Sequence, residues 1–284
     1  MAQILKGGPV AEALDTETAA RAAALREKGV IPALAILRVG EKPDDLAYER
    51  GAVKRCGKIG VEARSVVLPE DVTQQALVDA VLNLDRDKGV HGILVLSPLP
   101  KHLDMDAVRA SLIPAKDVDG ITGGSLAGVF SGIKEGFAPC TAQACIEMLD
   151  FYGIDCKGRR AAVLGRSLLV GRPVAMLLMG KHATVTICHT RTVDTAKICR
   201  EADIVVAAAG KMEAFGAEYF SPGQIVLDVG IHWSEEKNGL CGDVRFGEAE
   251  PVVAALSPVP GGVGSVTTSV LARHVVDAAG TYFL

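Results

Sequence analysis

The stretch AAVLGRSLLVGRP, Ala161 to Pro173, runs from an apolar segment through a glycine-framed turn into a second apolar segment. Val163 and Leu164 end a short buried strand, and Gly165 lets the chain turn sharply. Gly171 allows close backbone packing, and Pro173, with fixed φ and no N–H, suits a first helical turn. The order is strand, phosphate loop, helix start. An anion at this turn would meet free backbone N–H groups and the positive end of the helix dipole. The spacing is GxSxxxGxP rather than GxGxxG, so the turn alone fits a plain strand-to-helix connection equally well. The rest of the chain has to decide.

Working outward, the 284 residues suffice for one large domain or two ordinary ones. Hydrophobic residues make up 49% with only 4% aromatics, and 31 glycines suit many tight βα turns, which favours α/β over a β-sandwich. The net charge of −4 is small and no Lys/Arg block occurs, so nothing points to nucleic acid or an anionic membrane. Small-molecule partners are expected instead. The seven cysteines form no CxxC pair and no Cys/His cluster at zinc spacing, which argues for reduced thiols and no metal site. MAQILKGGPV lacks the long apolar core of a signal peptide, and no apolar run approaches about 20 residues. A cytoplasmic protein is expected.

Pro9 to Lys28 is an amphipathic helix, Ile31 to Val39 a buried strand, and Asp44 or Asp45 a cap for a helix running to Ile59. Strand Ala63 to Leu68, helix Val72 to Asp85, strand Gly92 to Leu96 and helix Asp104 to Leu112 follow. This βαβαβα order predicts a parallel sheet with helices on both faces. Gly120 to Phe137, glycine-rich and weakly periodic, is the expected crossover between lobes. After a helix at Ala142 to Tyr152, strands are expected at 161–164, 184–188, 204–208 and 225–229. Residues 256–264 form a turn-rich loop, and a closing helix, Thr267 to Ala279, is expected to pack back on the first lobe.

In dinucleotide folds an acid about 20 residues beyond the glycine turn usually holds the ribose 2′-hydroxyl of NAD. Here the second strand ends in Cys188-His189-Thr190-Arg191, without an acid. A guanidinium and a hydroxyl there, with Arg166 in the loop, suit a 2′-phosphate, so the reading tilts to NADP over NAD. The alternative is that Arg191 and Thr192 merely open the next helix. His189, His232 and Trp233 read as residues that orient loops, and Asp228 and Gly230 sit at a strand end where such sheets meet ligands.

Taken together, nine stretches resemble the methylenetetrahydrofolate dehydrogenase/methenyltetrahydrofolate cyclohydrolase family. They are GILVLSPLP (92–100), KDVDG (116–120), PCT (139–141), GRSLLVGRP (165–173), CHTRT (188–192), ADIVVAAAGK (202–211), DVGI (228–231), GDV (242–244) and PVPGGVG (258–264), in the family's order. The resemblance implies an N-terminal parallel-sheet catalytic lobe, residues 1–120 with 265–284, and a C-terminal Rossmann-type NADP-binding lobe, 140–264. It implies a homodimer acting on tetrahydrofolate derivatives. The expected reaction oxidises 5,10-methylenetetrahydrofolate with NADP, after which most members hydrolyse the product to 10-formyltetrahydrofolate. The same resemblance gives catalytic roles to Tyr48 and Asp119, the carboxylate of Asp119 accepting two hydrogen bonds from a pterin. Leu96, Pro260 and Gly261 join them as substrate contacts, and Gly165, Arg166, Ser167, Thr190 and Ile231 as cofactor contacts, to which the 2′-phosphate reading above adds Arg191.

Three positions depart from that pattern. Ala52 stands where the family has a lysine one turn after the tyrosine, Leu96 where it has the glutamine that bonds this lysine, and Ser265 where a proline is usual. Lys54, six residues after Tyr48, lies about 240° around the helix from it. Arg55 shares its face but stays protonated and cannot act as a base. Hydride transfer needs positioning and exclusion of water, whereas hydrolysis needs proton shuttling. The expectation is therefore a dehydrogenase with weak or absent cyclohydrolase activity. The alternatives are a bifunctional enzyme using another residue, a binding protein without catalysis, and a different two-lobed dehydrogenase.

Overall fold

The structure, a computed structural model, describes residues 1–282. From the N-terminus come β1 (Gln3–Ile4), α1 (Gly7–Glu27), β2 (Ala33–Val39), α2 (Pro43–Ile59), β3 (Glu62–Leu68), α3 (Gln74–Arg86) and β4 (Gly92–Val95). Next are α4 (Met105–Ser111), α5 (Gly123–Ser131), α6 (Cys140–Phe151), β5 (Arg160–Leu164), α7 (Gly171–Gly180) and β6 (Thr184–Cys188). The chain continues through α8 (Thr195–Arg200), β7 (Ile204–Ala207), β8 (Ile225–Asp228), β9 (His232–Ser234), β10 (Gly239–Cys241), α9 (Phe246–Ala249), β11 (Ala255–Leu256) and α10 (Thr267–Tyr282). It divides into two compact units: Ala13–Cys140 with the chain from Thr268 onward, and Met1–Glu12 with Thr141–Thr267. The division expected from sequence ran differently, since it kept residues 1–12 with the first lobe. Residues 283 and 284, counted in that lobe, lie outside the described residues.

In the first unit three parallel strands pair in the order β3-β2-β4, with Leu34 opposite Gly92 and Leu37 opposite Val95. All seven residues of the central strand ALAILRV are buried, as a parallel strand covered on both faces requires. The edge strand β3 alternates instead. Gly92 is needed where the sheet is covered, because a Cβ there would lie 2.7 Å from the side chain of Val118. α3 starts at Thr73, whose hydroxyl accepts the Ala76 N–H at 3.2 Å. α2, by contrast, has Lys42 at its cap position and no capping side chain. Asp44 and Asp45, expected as caps, sit in its first turn, where the helix dipole favours acids.

The expected crossover, residues 120–137, is not a linker: it folds into α5 within the first unit. Thr122 caps this helix, and its glycines serve close packing rather than freedom. A Cβ at Gly128 would lie 2.3 Å from the Glu135 carbonyl oxygen, and one at Gly124 2.4 Å from the Pro114 ring. Just before it, Lys116 is only 1% exposed, and its Nζ donates to the carbonyls of Leu84 (3.2 Å), Asp85 (2.6 Å) and Asp87 (2.7 Å), which closes the end of α3.

The second unit holds a six-stranded parallel sheet in the order β1-β11-β8-β7-β5-β6. The inner strands β7 and β8 are fully buried, while β6 at the edge alternates exposed and covered residues. Leu164, Val205, Val226 and Leu256 share one core cluster. The chain leaves β5 for β6 on one side, then returns to β7 on the other. In the first unit it leaves β2 for β3 and returns to β4. Each reversal opens a crevice at the strands' carboxyl ends, where open α/β sheets meet ligands.

Lys116→Met strands the carbonyls that end α3 in a buried place, so it should lower unfolding free energy by about 1–3 kcal/mol. Lys54→Met, on an exposed position, should stay within about 0.5 kcal/mol. Urea unfolding of the two variants checks the contrast.

Candidate functional site

At the reversal in the second unit lies a cavity of about 460 Å³, lined by Gly165, Arg166, Cys188, Thr190, Ala209 and Lys211 among others. Gly165 has φ +125°, and a Cβ there would lie 2.0 Å from the Ala208 carbonyl oxygen. A Cβ at Gly171 would lie 2.3 Å from the carbonyl oxygen of Gly165. These glycines let three stretches of backbone touch, which forms the floor of the cavity. The volume is that of a small-molecule site, and a guanidinium and a hydroxyl at its wall fit an anionic dinucleotide.

Not every expected feature of the turn holds. The N–H groups of Gly171 and Arg172 are taken by Ser167, through its hydroxyl at 3.2 Å and its carbonyl at 3.1 Å, and Pro173 has none. Ser167 therefore acts as a cap for α7, and an anion would face the loop rather than the helix's first amides. Arg191 is exposed and does not line the cavity. Its N–H donates to Nδ1 of His189 at 3.2 Å, while Thr192 Oγ1 accepts the His189 N–H at 2.9 Å. His189 and Thr192 thus close a turn that presents Thr190. Ile231, 57% exposed, lines a second cavity of about 210 Å³ with Gly230, Pro260 and Gly261.

Two buried carboxylates stand behind these walls: Asp228, read from sequence as a strand-end position that meets ligand, spends its oxygens on backbone instead, and Asp243 had no role assigned from sequence. Asp228 accepts the N–H groups of Gly230 (3.1 Å), Asp243 (3.0 Å) and Val244 (2.9 Å). Burial pushes its pKa up to about 6, and those amides hold it from going higher. Asp243 accepts three amides of its own and pairs with His232. The readable signal was the glycine beside each acid: a Cβ at Gly242 would lie 1.9 Å from Asp228, and one at Gly230 2.3 Å from Asp243.

In the first unit the reversal brings the start of α2 to the loop after β4, and Lys42 Nζ donates across it to the Pro98 carbonyl at 2.5 Å. Tyr48, on α2, keeps 36% of its surface open, and its phenol is raised well above its ordinary pKa by burial and then by the nearby Asp119 charge. Tyr48 and Asp119 therefore share one electrostatic environment. Asp119 is pushed up to about 7 by burial and the Asp117 charge, against a hydrogen bond from the Cys140 thiol. Cys140 also reaches the Val118 carbonyl at 3.3 Å, and His274, stacked on Phe137, contacts the same oxygen at 2.9 Å. Ala52 and Leu96 are 1% and 6% exposed, both apolar and covered. Lys54 is exposed on another face of α2, and Arg55 is paired with Asp15.

A family model described as the catalytic domain of tetrahydrofolate dehydrogenase/cyclohydrolase matches residues 5–119, and the model of its NAD(P)-binding domain matches residues 139–283. The chain belongs to the tetrahydrofolate dehydrogenase/cyclohydrolase family. The bifunctional protein FolD of Carboxydothermus hydrogenoformans is 50% identical over 280 residues, 98% of this chain and 97% of that protein. Among solved structures, bifunctional FolD from Campylobacter jejuni superposes with a TM-score of 0.95 at 35% identity, covering 99% of both chains. The Trypanosoma brucei methylenetetrahydrofolate dehydrogenase-cyclohydrolase, complexed with NADP and an inhibitor, gives 0.91 at 36% identity, covering 98% of this chain and 97% of that one. In this family the cavity above Gly165 falls in the NAD(P)-binding domain, and Tyr48, Ala52, Leu96 and Asp119 in the catalytic domain.

Gly165→Ala should weaken NADPH binding by at least about tenfold, since the methyl group must displace the Ala208 backbone, and a fluorescence titration reads it. Asp119→Asn tests the raised carboxyl. The folded pKa exceeds the unfolded value, so the cost of ionising Asp119 appears as pH rises from about 4 to 7. The variant should melt above the parent at pH 8, with the gap narrowing towards pH 4.

Proposed function

We propose that this chain oxidises 5,10-methylenetetrahydrofolate to 5,10-methenyltetrahydrofolate with NADP, and that it hydrolyses the product weakly or not at all. Bound NADP supplies the hydride acceptor. Arg166 and Thr190, on the cavity wall, hold its 2′-phosphate, with Arg191 close by in the same turn. Gly165 and Ser167 seat the diphosphate, and Ile231 meets the nicotinamide side. Asp119, ionised, accepts two N–H groups of the pterin, and Tyr48 packs beside it; Pro260 and Gly261 are substrate contacts on the resemblance alone. The folate then belongs to residues 1–120 with 265–284, and the dinucleotide to 140–264.

The observation that carries the loss of hydrolysis is the pair Ala52 and Leu96, both buried and apolar where the family places a lysine and its glutamine partner. The two cations next along α2 do not take the lysine's place: Lys54 is exposed on another face, and Arg55 is engaged by Asp15. General acid–base help of the missing kind is worth roughly 10² to 10⁴-fold. Hydride transfer asks for none of it, only for the two reactants held together with water excluded. The relatives named bifunctional favour the second reading, in which both activities remain. A cytoplasmic homodimer completes the proposal, and the seven free thiols fit a reducing compartment.

The test supplies methenyltetrahydrofolate and follows its loss beside NADPH formation from methylenetetrahydrofolate. Oxidation without hydrolysis above the spontaneous rate is expected. Hydrolysis as fast as oxidation would establish the bifunctional reading instead. Ala52→Lys with Leu96→Gln should raise hydrolysis by about tenfold or more.

A further inference from the structure

Asp243 is fully buried, and its carboxylate is a junction. Oδ2 accepts the N–H of Ala209 at 2.6 Å and of Gly210 at 2.9 Å, while Oδ1 accepts that of Lys211 at 2.9 Å and faces Nε2 of His232 at 2.7 Å. Three successive amides around one anion make a concave cradle. The segment they belong to is a wall of the dinucleotide cavity: Ala209 and Lys211 line it, and Ala208 holds its carbonyl against Gly165.

Asp243 is itself fixed from behind. Its N–H donates to Asp228 Oδ1 at 3.0 Å, and its carbonyl accepts the Phe215 N–H at 3.1 Å. Those partners are backbone or a second buried acid. Among the described residues, His232 supplies the one side-chain N–H that meets this carboxylate. Because the carboxylate is already an acceptor for three amides, the shared proton sits on Nε2 and the imidazole donates. The side chain of His232 is 21% exposed, so solvent reaches the strut from outside the cavity. Its neighbour Ile231 lines the second cavity, at the carboxyl end of the same β8.

We propose that His232 is a positioning residue for the pyridine dinucleotide: it steadies Asp243, Asp243 steadies residues 209–211, and this strut sets the cavity wall opposite Gly165. His232 touches neither the cofactor nor the reacting atoms in this scheme. Losing its N–H leaves a buried anion with amide partners only and lets the wall shift, a change that should show in affinity.

The experiment uses the full-length protein and NADPH as the probe. Trp233, the single tryptophan, adjoins His232 and reports binding by energy transfer to NADPH. His232→Leu should raise the Kd for NADPH about tenfold and speed hydrogen exchange of the 209–211 amides. His232→Gln, which keeps an N–H donor of similar reach, should stay within about threefold of the parent in both measurements. His232→Asn, too short to reach Asp243, replaces the leucine variant should that one not fold. In turnover the loss should fall on KM for NADP rather than on kcat. Unchanged affinity in the folded leucine or asparagine variant overturns the proposal, as does a glutamine variant that binds as weakly as leucine. The binding readout needs no folate, so its failure is distinct from failure of the proposed oxidation.

Discussion

Where a chain reverses direction across a parallel sheet, two strands end side by side with their connections leaving on opposite sides, and the backbone between them has no ladder partner. The NAD(P)-binding unit depends on how that gap is filled. Gly165 brings its backbone against the Ala208 carbonyl, an approach that any side chain would block, and Gly171 packs on Gly165 in turn. The cavity lies where these backbone segments meet, with Arg166, Thr190 and Lys211 among the residues that line it. In the first unit the corresponding gap is spanned by Lys42 Nζ on the Pro98 carbonyl, which ties the start of α2 to the loop that carries Leu96.

The carboxylates show how one residue type is divided between architecture and chemistry. Asp117 accepts the N–H groups of Ile121 and Thr122 at 3.0 and 2.7 Å, and Asp228 and Asp243 each accept three amides. These acids hold turns in place, and their oxygens are spent on backbone. Asp119, two residues beyond Asp117 in KDVDG, meets a thiol and a neighbouring negative charge instead, and its pKa climbs to about 7. A carboxyl held near neutrality with oxygens to spare is what a pair of N–H donors on a ligand would satisfy. Lys116 completes the division: the first residue of the motif caps a helix, the second holds a turn, and the fourth is the one to which the proposal gives the pterin.

Most of the architecture was legible because parallel strands buried on both faces read as unbroken apolar runs, as in ALAILRV and IVVA. α5 was not, because GGSLAGVFS carries glycines for close packing, and from sequence such glycines look like those of a flexible linker. The two-residue strands β1 and β11 are too short for any periodicity to register. Within the site, Gly165, Arg166 and Thr190 converge as read, whereas Arg191 turns outward because its N–H and the His189 side chain close the turn between them. The link from His232 to Asp243 was illegible for a different reason: it joins residues in two separate motifs, and only the fold of the β9–β10 hairpin sets them 2.7 Å apart.

On the proposed reading of positions 52 and 96, the cost of burial gives a reason for both to be apolar together. A lysine on the covered face of α2 without its partner would place a charge among apolar atoms, and a lone glutamine would leave an amide unpaired; each alone costs more than the apolar pair. Ala52 and Leu96, both buried and apolar, carry neither obligation. The two half-reactions of the family differ in what they ask of that spot. Hydrolysis draws on a group that can pass a proton to and from water, whereas hydride transfer requires that water be kept out. Under the proposed function, methyl and isobutyl groups in place of a cation and its amide make the spot drier, so the change proposed to weaken hydrolysis works in the direction that hydride transfer favours.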